Sequence, residues 1–562
     1  MLNMIRCILT KPNKCKPLFD KTKDQTYTIT KTNNLVAFVG DTVDIEPQSQ
    51  MPTTYPNVRN FKRNPNIPSP CSLVKICKRN RQFYVAIVCN LKPFQVVLLN
   101  NDTILSLQFP VWPISSTLHI GKRIIVQLGI TWADYVCDAT CYTTDEIVTK
   151  LFQLEHNYCP VPNPITVDDS QTIDLTHLTT FTVDSAKSTD LDDALSIDQT
   201  NHLIYVHITD VSRFIPAGSL LDQRIMERAT SFYLPETTFH LNPTEIVKTC
   251  SLDPGQVRYA VSTIIPYDPV TYAIKMDQIS HTRSKIQSYR RYTYDEANSS
   301  LDPHILLLNT IYLKNKQEKI INNIITESGC KPTNSPLKTI LLYPENDWNL
   351  CIEFYMVLTN EYVSQYCFEK FKNAIHRKHP FPQNKDEFDF TQSLMKQPQS
   401  LDYPAEMWLL LQSLCMELSY YTPNEVGHFA LNKPFYTHST SPLRRYVDLV
   451  VQRVLVGDVS YSIHQLEIIS DVANRQHAKR RQIDDTVIAL KDLERKKVGM
   501  TFAGVVTRVS RNSINVYLID ETRLVKVEVP SNFDINPFTF VRLSVSEVFN
   551  KVIYKVINKN DV

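Results

Sequence analysis

Thr182-Val183-Asp184-Ser185-Ala186-Lys187-Ser188-Thr189-Asp190-Leu191-Asp192-Asp193-Ala194 places four carboxylates within ten residues. Like charges a few ångströms apart raise each other's pKa, so such a run is tolerable only if several acids are protonated or a cation sits among them. Hard carboxylate oxygens with no His or Cys beside them select Mg²⁺ or Mn²⁺ over Zn²⁺, and a site with few protein ligands leaves positions for water and a substrate phosphate. An EF-hand is excluded: counted from Asp190, the glycine and the acid it needs at the sixth and twelfth positions are Leu195 and Asn201. A solvated acidic turn capping a helix is the plain alternative. The flanks weigh against it, because Leu195–Ile197 and the stretch His202 to Ser212 read as buried strands.

The 562 residues around this segment are long enough for several cores, roughly three to five domains at about 100–200 residues each. Apolar residues at 43% and charged residues at 21% exclude a disordered chain, a collagen and a coiled-coil rod. Sixty basic against fifty-eight acidic side chains leave a net charge of +2, so a polyanion would have to be held by local patches. No apolar run approaches the ~18–20 residues that span a bilayer, and no membrane partner is expected. The thirteen cysteines are odd in number, scattered and free of C-x-x-C pairs, which suits a reducing, intracellular compartment, cytoplasmic or nuclear, with an organelle left open. The start, Met1 to Pro17, is basic but lacks a signal-peptide core. Only ten glycines occur, and neither G-x-x-x-x-G-K-[ST] nor G-x-G-x-x-G is present, so no nucleotide cofactor is expected.

Outward from the acids, the chain divides into five parts. Residues 1–26 read as a leader. Short β-branched and aromatic runs (Leu35–Val39, Phe83–Val88, Phe94–Leu99, Thr103–Leu107, Arg123–Leu128) predict two small β-barrels, over 27–90 and 91–160. From Pro47 to Asn101 there is no acid but eight bases, Arg59, Lys62, Arg63, Lys75, Lys78, Arg79, Arg81 and Lys92. With Phe61, Phe83 and Tyr84 among them, this surface suits the stacked bases and phosphates of a single strand; a solvated basic face over core aromatics is the alternative. A linker with Pro160, Pro162 and Pro164 leads into a mixed α/β body over 161–498, closed by a helix from His464 to Val498. Five strand patterns in 499–562 (Phe502–Val509, Ile514–Leu518, Leu524–Val529, Val541–Val545, Val552–Val556) predict an OB-type barrel. Cys137, Cys141, His156 and Cys159 are spaced only loosely like a zinc site.

The string D-S-A-K-S-T-D-L-D-D-A-L-S, then V-H-I-T-D-V-S, R-A-T-S-F-Y-L-P at Arg228–Pro235 and C-S-L at Cys250–Leu252, resembles the catalytic (RNB) domain of the RNase II/RNase R exoribonuclease family. Far downstream, G-H-F-A-L at Gly427–Leu431 and Y-T-H-S-T-S-P-L-R-R-Y-V-D-L at Tyr436–Leu449 resemble that family's second signature. The resemblance implies a multidomain α+β chain: N-terminal cold-shock-like OB β-barrels, a central α/β RNB domain and a C-terminal OB-fold. G-K-R-I-I-V-Q-L-G-I-T-W and L-F-Q-L-E-H-N are similar to the eukaryotic exosome's nuclease subunit, here with no endonuclease domain expected ahead of the barrels, whereas D-S-A is closer to bacterial and plastid sequences. The implied activity is processive 3′-to-5′ hydrolysis of single-stranded RNA to nucleoside 5′-monophosphates by two metal ions, Mg²⁺ or Mn²⁺. An exosome-like or other RNA-decay assembly is an implied partner. A catalytically silent RNA-binding subunit is the competing class.

By the same resemblance, Asp184, Asp190, Asp192 and Asp193 bind metal, and Asp192, Asp190 and Arg444 are catalytic. Ser441-Pro442-Leu443-Arg444-Arg445 reads as a helix start, with Ser441 at the N-cap, Pro442 at N1 and both arginines in the first turn, where they would face a phosphate. An Arg444–Asp448 pair on a helix face is the alternative; a Ser441, His438, Asp448 hydrolase lacks a nucleophile elbow. Tyr233 matches an aromatic that stacks on terminal bases. Tyr294 and Glu353 match positions linked to sugar recognition, a carboxylate accepting from the 2′-hydroxyl that DNA lacks. Arg445, Ser441, Arg59, Arg63, Lys78 and Arg81 complete the expected RNA contacts. Phe354, Ser439 and Gln452 depart from the family pattern at, respectively, a second glutamate, an aromatic and a histidine.

Overall fold

The computed structural model describes residues 171–233, 238–316, 347–382 and 416–557, apart from 522, 532, 538, 549 and 550. Ahead of residue 171 it describes ten strands with residues 99 and 146–147. Strands β1 (Ile5–Lys11), β2 (Lys14–Pro17), β3 (Tyr27–Lys31), β4 (Thr42–Pro47) and β5 (Ser69–Lys78) close a barrel in the order β1-β2-β3-β5-β4. Two of these strands fall within 1–26, so Ile5–Lys11 and Lys14–Pro17 belong to the first barrel where a leader was expected. The reason is register: Ile5 stands opposite Ile45 and Cys7 opposite Val43, so the alternation in Ile-Arg-Cys supplies the closing strand. A second barrel, β6 (Phe83–Leu91), β7 (Phe94–Leu98), β8 (Ile104–Gln108), β9 (Arg123–Leu128) and β10 (Trp132–Asp138), repeats the order and begins inside the stretch assigned to the first. Its core is Ala86–Val88, Val96–Leu98 and Ile124–Val126. Lys78 is described only as the end of β5; Arg59, Phe61, Arg63, Arg81, Leu35–Val39, Cys141, His156 and Cys159 lie outside the described residues.

The central sheet comprises β11 (Ile173–Asp174), β12 (Thr180–Val183), β13 (Asp193–Asp198), β14 (Leu203–Thr209), β17 (Val257–Pro266) and β18 (Ser280–Tyr292), in the order β11-β18-β12-β13-β14-β17. Between β14 and β17 the hairpin β15 (Phe232–Tyr233) and β16 (Thr238–Phe239) stands apart. The long β18 pairs with β17 through Ser280–Gln287 and with β12 through Ser288–Tyr292, so the sheet curls back on itself. Alternation sorts its faces: Leu195, Ile197, Ile204, Val206 and Ile208 pack against the helices that follow β18, while Ala194, Tyr205 and Ile286 share the other face with Leu191 and Leu252.

The helices are α1 (Leu220–Arg228), α2 (Thr244–Cys250), α3 (Tyr294–Asn298), α4 (Pro303–Lys316), α5 (Trp348–Phe371), α6 (Tyr446–Leu455) and α7 (Ile463–Arg495). A short pair, β19 (His376–Lys378) and β20 (Tyr420–Thr422), follows α5. Helix α7 starts at a Ser462/Gln465 capping box and ends three residues before the expected boundary. The last five strands, β21 (Thr501–Ser510), β22 (Ser513–Leu518), β23 (Arg523–Glu528), β24 (Phe540–Val548) and β25 (Val552–Val556), match the five patterns and form a sheet ordered β23-β22-β21-β24-β25. Relabelled from its first strand, that order is the one both closed barrels follow. Here the edges β23 and β25 meet only through side chains, Arg523 reaching the Tyr554 hydroxyl at 3.4 Å, as in a partly open OB barrel.

Candidate active site

Asp184 to Asp192 form the loop between β12 and β13, and Asp193 opens β13. Leu191 anchors this loop: it is 1% exposed, packed among Leu175, Ala194 and Leu252. Its N–H donates to Ser251 Oγ at 3.2 Å and its carbonyl accepts from Leu252 N–H at 3.1 Å. The C-S-L motif is thus the seat of the acid loop. Leu191 is turned into that cluster, whereas its neighbours Asp190 and Asp192 line the cavity on the other side of the loop. From the other side Arg291 Nη2 donates to the carbonyls of Ser185 (2.5 Å) and Ser188 (3.0 Å). The Asp184 N–H donates to the Tyr292 carbonyl at 2.9 Å, and the Asp192 carbonyl accepts from Thr209 N–H at 2.9 Å.

The second signature meets the acids through the turn before α6. Ser441 does not cap this helix, which begins at Tyr446 with Arg445 as its N-cap in an extended conformation. Arg444 and Arg445 therefore precede the helix. One turn forms, Arg444 N–H and Arg445 N–H both donating to the Ser441 carbonyl (3.2 and 3.0 Å). The chain then pairs with Ala229–Ser231, through Ser231 N–H to the Arg444 carbonyl and Tyr446 N–H to the Ala229 carbonyl (both 2.9 Å). This pairing joins R-A-T-S-F-Y to S-P-L-R-R-Y and interrupts the helix. The Leu443 N–H donates to Asp192 Oδ1 at 2.8 Å, and Arg444 places Nε 3.5 Å from Asp192 Oδ2 and Nη2 2.8 Å from Ser441 Oγ. It is Arg445, not Arg444, that pairs with Asp448, by two bonds of 2.9 and 2.8 Å. Asp448 also takes the Ser441 N–H at 2.8 Å, and His438 Nδ1 lies 2.6 Å from the Tyr421 hydroxyl, so no serine triad forms.

Together these segments enclose a cavity of about 460 Å³ lined by Asp184, Asp190, Asp192, Asp193, Tyr233, Tyr294, Glu353, Ser441, Arg444 and Arg445. Tyr233 donates its hydroxyl to Asp190 Oδ2. Tyr294 opens α3 behind a Thr293/Glu296 capping box, and Glu353 sits on α5 beside Ile352, Met356 and Val357, which give the cavity an apolar wall. Burial pushes the Asp192 carboxyl well up, Asp190 and Asp193 adding to it and Arg444 and the Leu443 N–H opposing. Asp193 is raised by burial and by Asp184, and Asp184 is raised by burial. Burial, then Asp193 and Asp184, raise the Tyr294 hydroxyl.

These residues fit a hard divalent cation. Asp184 Oδ2 and Asp192 Oδ2 are buried without a hydrogen-bond partner, and the raised acids lack enough positive charge to ionise freely. Among the described residues no group of three or more His, Cys, Asp or Glu side chains is arranged to hold a metal ion by itself. An open site of one or two carboxylates plus substrate oxygens is the arrangement Mg²⁺ ordinarily takes.

Several residues of the site were not legible as such in the sequence. Asn360 on α5 accepts from Ser439 N–H and Oγ–H (2.8 and 2.9 Å), so Ser439 ties the Thr440 and Ser441 wall to that helix. Gln452 donates to the Thr209 carbonyl (2.8 Å) and accepts from Ser212 N–H (3.1 Å), bracing β14 against α6. Phe354 packs on Tyr312, ring centroids 5.5 Å apart, and does not line the cavity. Arg291 and His240 were also missed, because their partners lie far away in the chain.

The family model of the RNB domain matches residues 172–457, just over half of the chain. Ribonuclease R of Chlamydia muridarum is 28% identical over 355 residues, covering 57% of this chain and 51% of that protein. The human exosome complex exonuclease RRP44 is 30% identical over 407 residues, covering 61% and 42%. The chain spans about half the length of the first curated relatives it matches. Among solved structures, Mycoplasma genitalium RNase R in complex with ribose-methylated single-stranded RNA superposes with a TM-score of 0.76 at 19% identity, covering 99% of this chain and all of that one. Yeast Ssd1, described as a pseudonuclease, superposes with a TM-score of 0.71 at 17% identity, covering 97% and 82%. At these identities the structures speak for the fold. With the acid loop, the arginine turn and the profile match all falling on one sheet and one cavity, the chain belongs to the RNB domain family.

Proposed function

We propose that this protein is a hydrolytic 3′-to-5′ exoribonuclease that shortens single-stranded RNA processively to nucleoside 5′-monophosphates in RNA turnover or processing. One observation carries the reading: four aspartates, Arg444, Tyr233, Tyr294 and Glu353, drawn from separate stretches of chain, line a single cavity. At about 460 Å³ it suits a nucleotide or two and not a folded RNA. Asp184, Asp190, Asp192 and Asp193 would hold Mg²⁺ or Mn²⁺, which supplies a polarised phosphate and an activated water, by two ions in the full form of the proposal. Arg444 stabilises charge growing on the phosphate, its planar guanidinium already aimed at the acids. Tyr233 stacks on the terminal base, and stacking tolerates every base. Tyr294 and Glu353 take the sugar, the carboxylate accepting from the 2′-hydroxyl. Ser441 and Arg445 shape the phosphate wall. Arg59, Arg63, Lys78 and Arg81 gather the strand, and an exosome-like assembly is the partner class that the human relative's name suggests. Among the described residues no helix is long and apolar enough to cross a membrane.

The test compares matched 5′-labelled RNA and DNA strands, with free and blocked 3′ ends, in Mg²⁺ and in EDTA. Stepwise shortening of unblocked RNA alone, abolished by EDTA, is expected. The second reading, a silent RNA-binding subunit, is favoured by the fold shared with Ssd1; protein that binds the RNA and never shortens it would establish that reading.

A further inference from the structure

His240 follows β16, and Arg228 Nη1 holds its carbonyl at 2.6 Å. Its side chain is 20% exposed and sits behind Asp190, outside the lining of the cavity. Nε2 lies 3.4 Å from Thr189 Oγ1. Nδ1 faces Asp190 Oδ2 at 3.8 Å and is buried without a hydrogen-bond partner. Asp190 Oδ2 already accepts from the Tyr233 hydroxyl, so the hydrogen-bond network assigns the ring proton to Nδ1, with Nε2 accepting from the Thr189 hydroxyl. A buried donor left unpaired is unfavourable, and a shift of under about 1 Å would bring Asp190 Oδ2 within hydrogen-bond range. Tyr233 stands opposite Thr238 at one end of the antiparallel pair β15 and β16, and His240 follows Phe239 at the other, so the same two strands deliver two donors to one carboxylate oxygen.

We propose that His240 is a positioning residue: with Tyr233 it holds Asp190 Oδ2, which fixes the orientation of the Asp190 carboxylate that would help bind the divalent cation. The proposal rests on the reading that the four acids bind that cation. Groups that orient a metal ligand from outside the coordination sphere are worth about 10–100-fold in metal affinity.

The experiment titrates Mn²⁺ by calorimetry into the full chain bound to single-stranded RNA with a non-hydrolysable 3′-terminal linkage, for the wild type and for His240→Ala, His240→Asn and His240→Gln. The amide nitrogen of asparagine falls where Nδ1 stands, whereas that of glutamine reaches toward Thr189. Affinity for Mn²⁺ is expected to fall about tenfold or more in the Ala and Gln variants and to stay within about threefold of wild type in the Asn variant. RNA affinity measured in EDTA should be the same for all four, which excludes a folding defect. An Ala variant that binds Mn²⁺ like the wild type, or an Asn variant as weak as Ala, overturns the role of His240 while leaving the cation reading intact. A wild-type chain that takes up no Mn²⁺ overturns the cation reading and this proposal together.

Discussion

Asp192 joins the two halves of the site, and its two oxygens do different work. Oδ1 accepts the Leu443 N–H at 2.8 Å and so fixes the turn that carries Arg444, while Oδ2 is buried without a hydrogen-bond partner, Arg444 Nε lying 3.5 Å from it. Asp192→Asn keeps the first acceptor and removes the charge; Asp192→Ala removes both. Because burial already holds the Asp192 carboxyl well up, its ionised form costs the folded state. A folded pKa above the unfolded one means that ionisation favours unfolding once the pH exceeds about 4, so the Asn variant should be at least as stable as wild type at pH 7.5 in EDTA. Any gain should vanish below about pH 4. The Ala variant leaves a buried N–H unpaired and should lose about 1–3 kcal/mol. Both should cleave at least about 10²–10³-fold more slowly, the cost, some 2.7–4 kcal/mol, of removing one group that acts on transition-state charge. Single-turnover shortening of 5′-labelled RNA, urea unfolding in EDTA and RNA binding in EDTA read the three quantities. An Asn variant within threefold of wild-type cleavage would remove Asp192 from the reaction, and one as unstable as Ala would refute the division of labour between its oxygens.

Asp222, buried on α1, accepts from two residues of α6, Arg453 Nη1 at 2.9 Å and the Tyr446 hydroxyl at 3.0 Å. Asp222→Ala should cost about 3–5 kcal/mol by stranding a buried guanidinium, and adding Arg453→Met should recover part of it; equal instability of the single and double variants would contradict this. His207 is fully buried between Ser196 Oγ (2.8 Å) and Ser262 Oγ (2.6 Å), and burial depresses its pKa to about 3. The unfolded chain then binds more protons between about pH 6.5 and 3, so stability falls with acidification, by up to about 2 kcal/mol at pH 5. His207→Gln should flatten that slope in urea titrations at pH 8 and pH 5, and an unchanged slope counts against the assignment. A Cβ at Gly504 would lie 2.5 Å from Val516 Cγ1 and 2.9 Å from the Tyr517 carbonyl oxygen. Gly504→Ala should destabilise the C-terminal barrel by about 1–3 kcal/mol and weaken RNA binding without slowing cleavage of bound RNA; a barrel that melts as in wild type would show that the strands can move apart.

Local pattern was enough for the acids, for the strands around them and for the five strands after Gly499, because alternation and spacing act within a few residues. Ile5–Lys11 reads as a leader in isolation because its alternation is too short to declare a strand; it becomes one by pairing with Lys14–Pro17 and with Thr42–Pro47. Ser441-Pro442 carried good helix-start chemistry and still did not start the helix, since pairing with Ala229–Ser231, more than two hundred residues earlier in the chain, takes the backbone groups that α6 would have used. The identities of Asp184, Asp190, Asp192, Asp193 and Arg444 were therefore written in the sequence. Which of their oxygens and nitrogens face the cavity was not. That depends on Leu191 sinking beside Leu252, on Arg291 gripping the loop and on His240 standing behind Asp190, contacts across 50 to 106 residues that form only when the sheet closes.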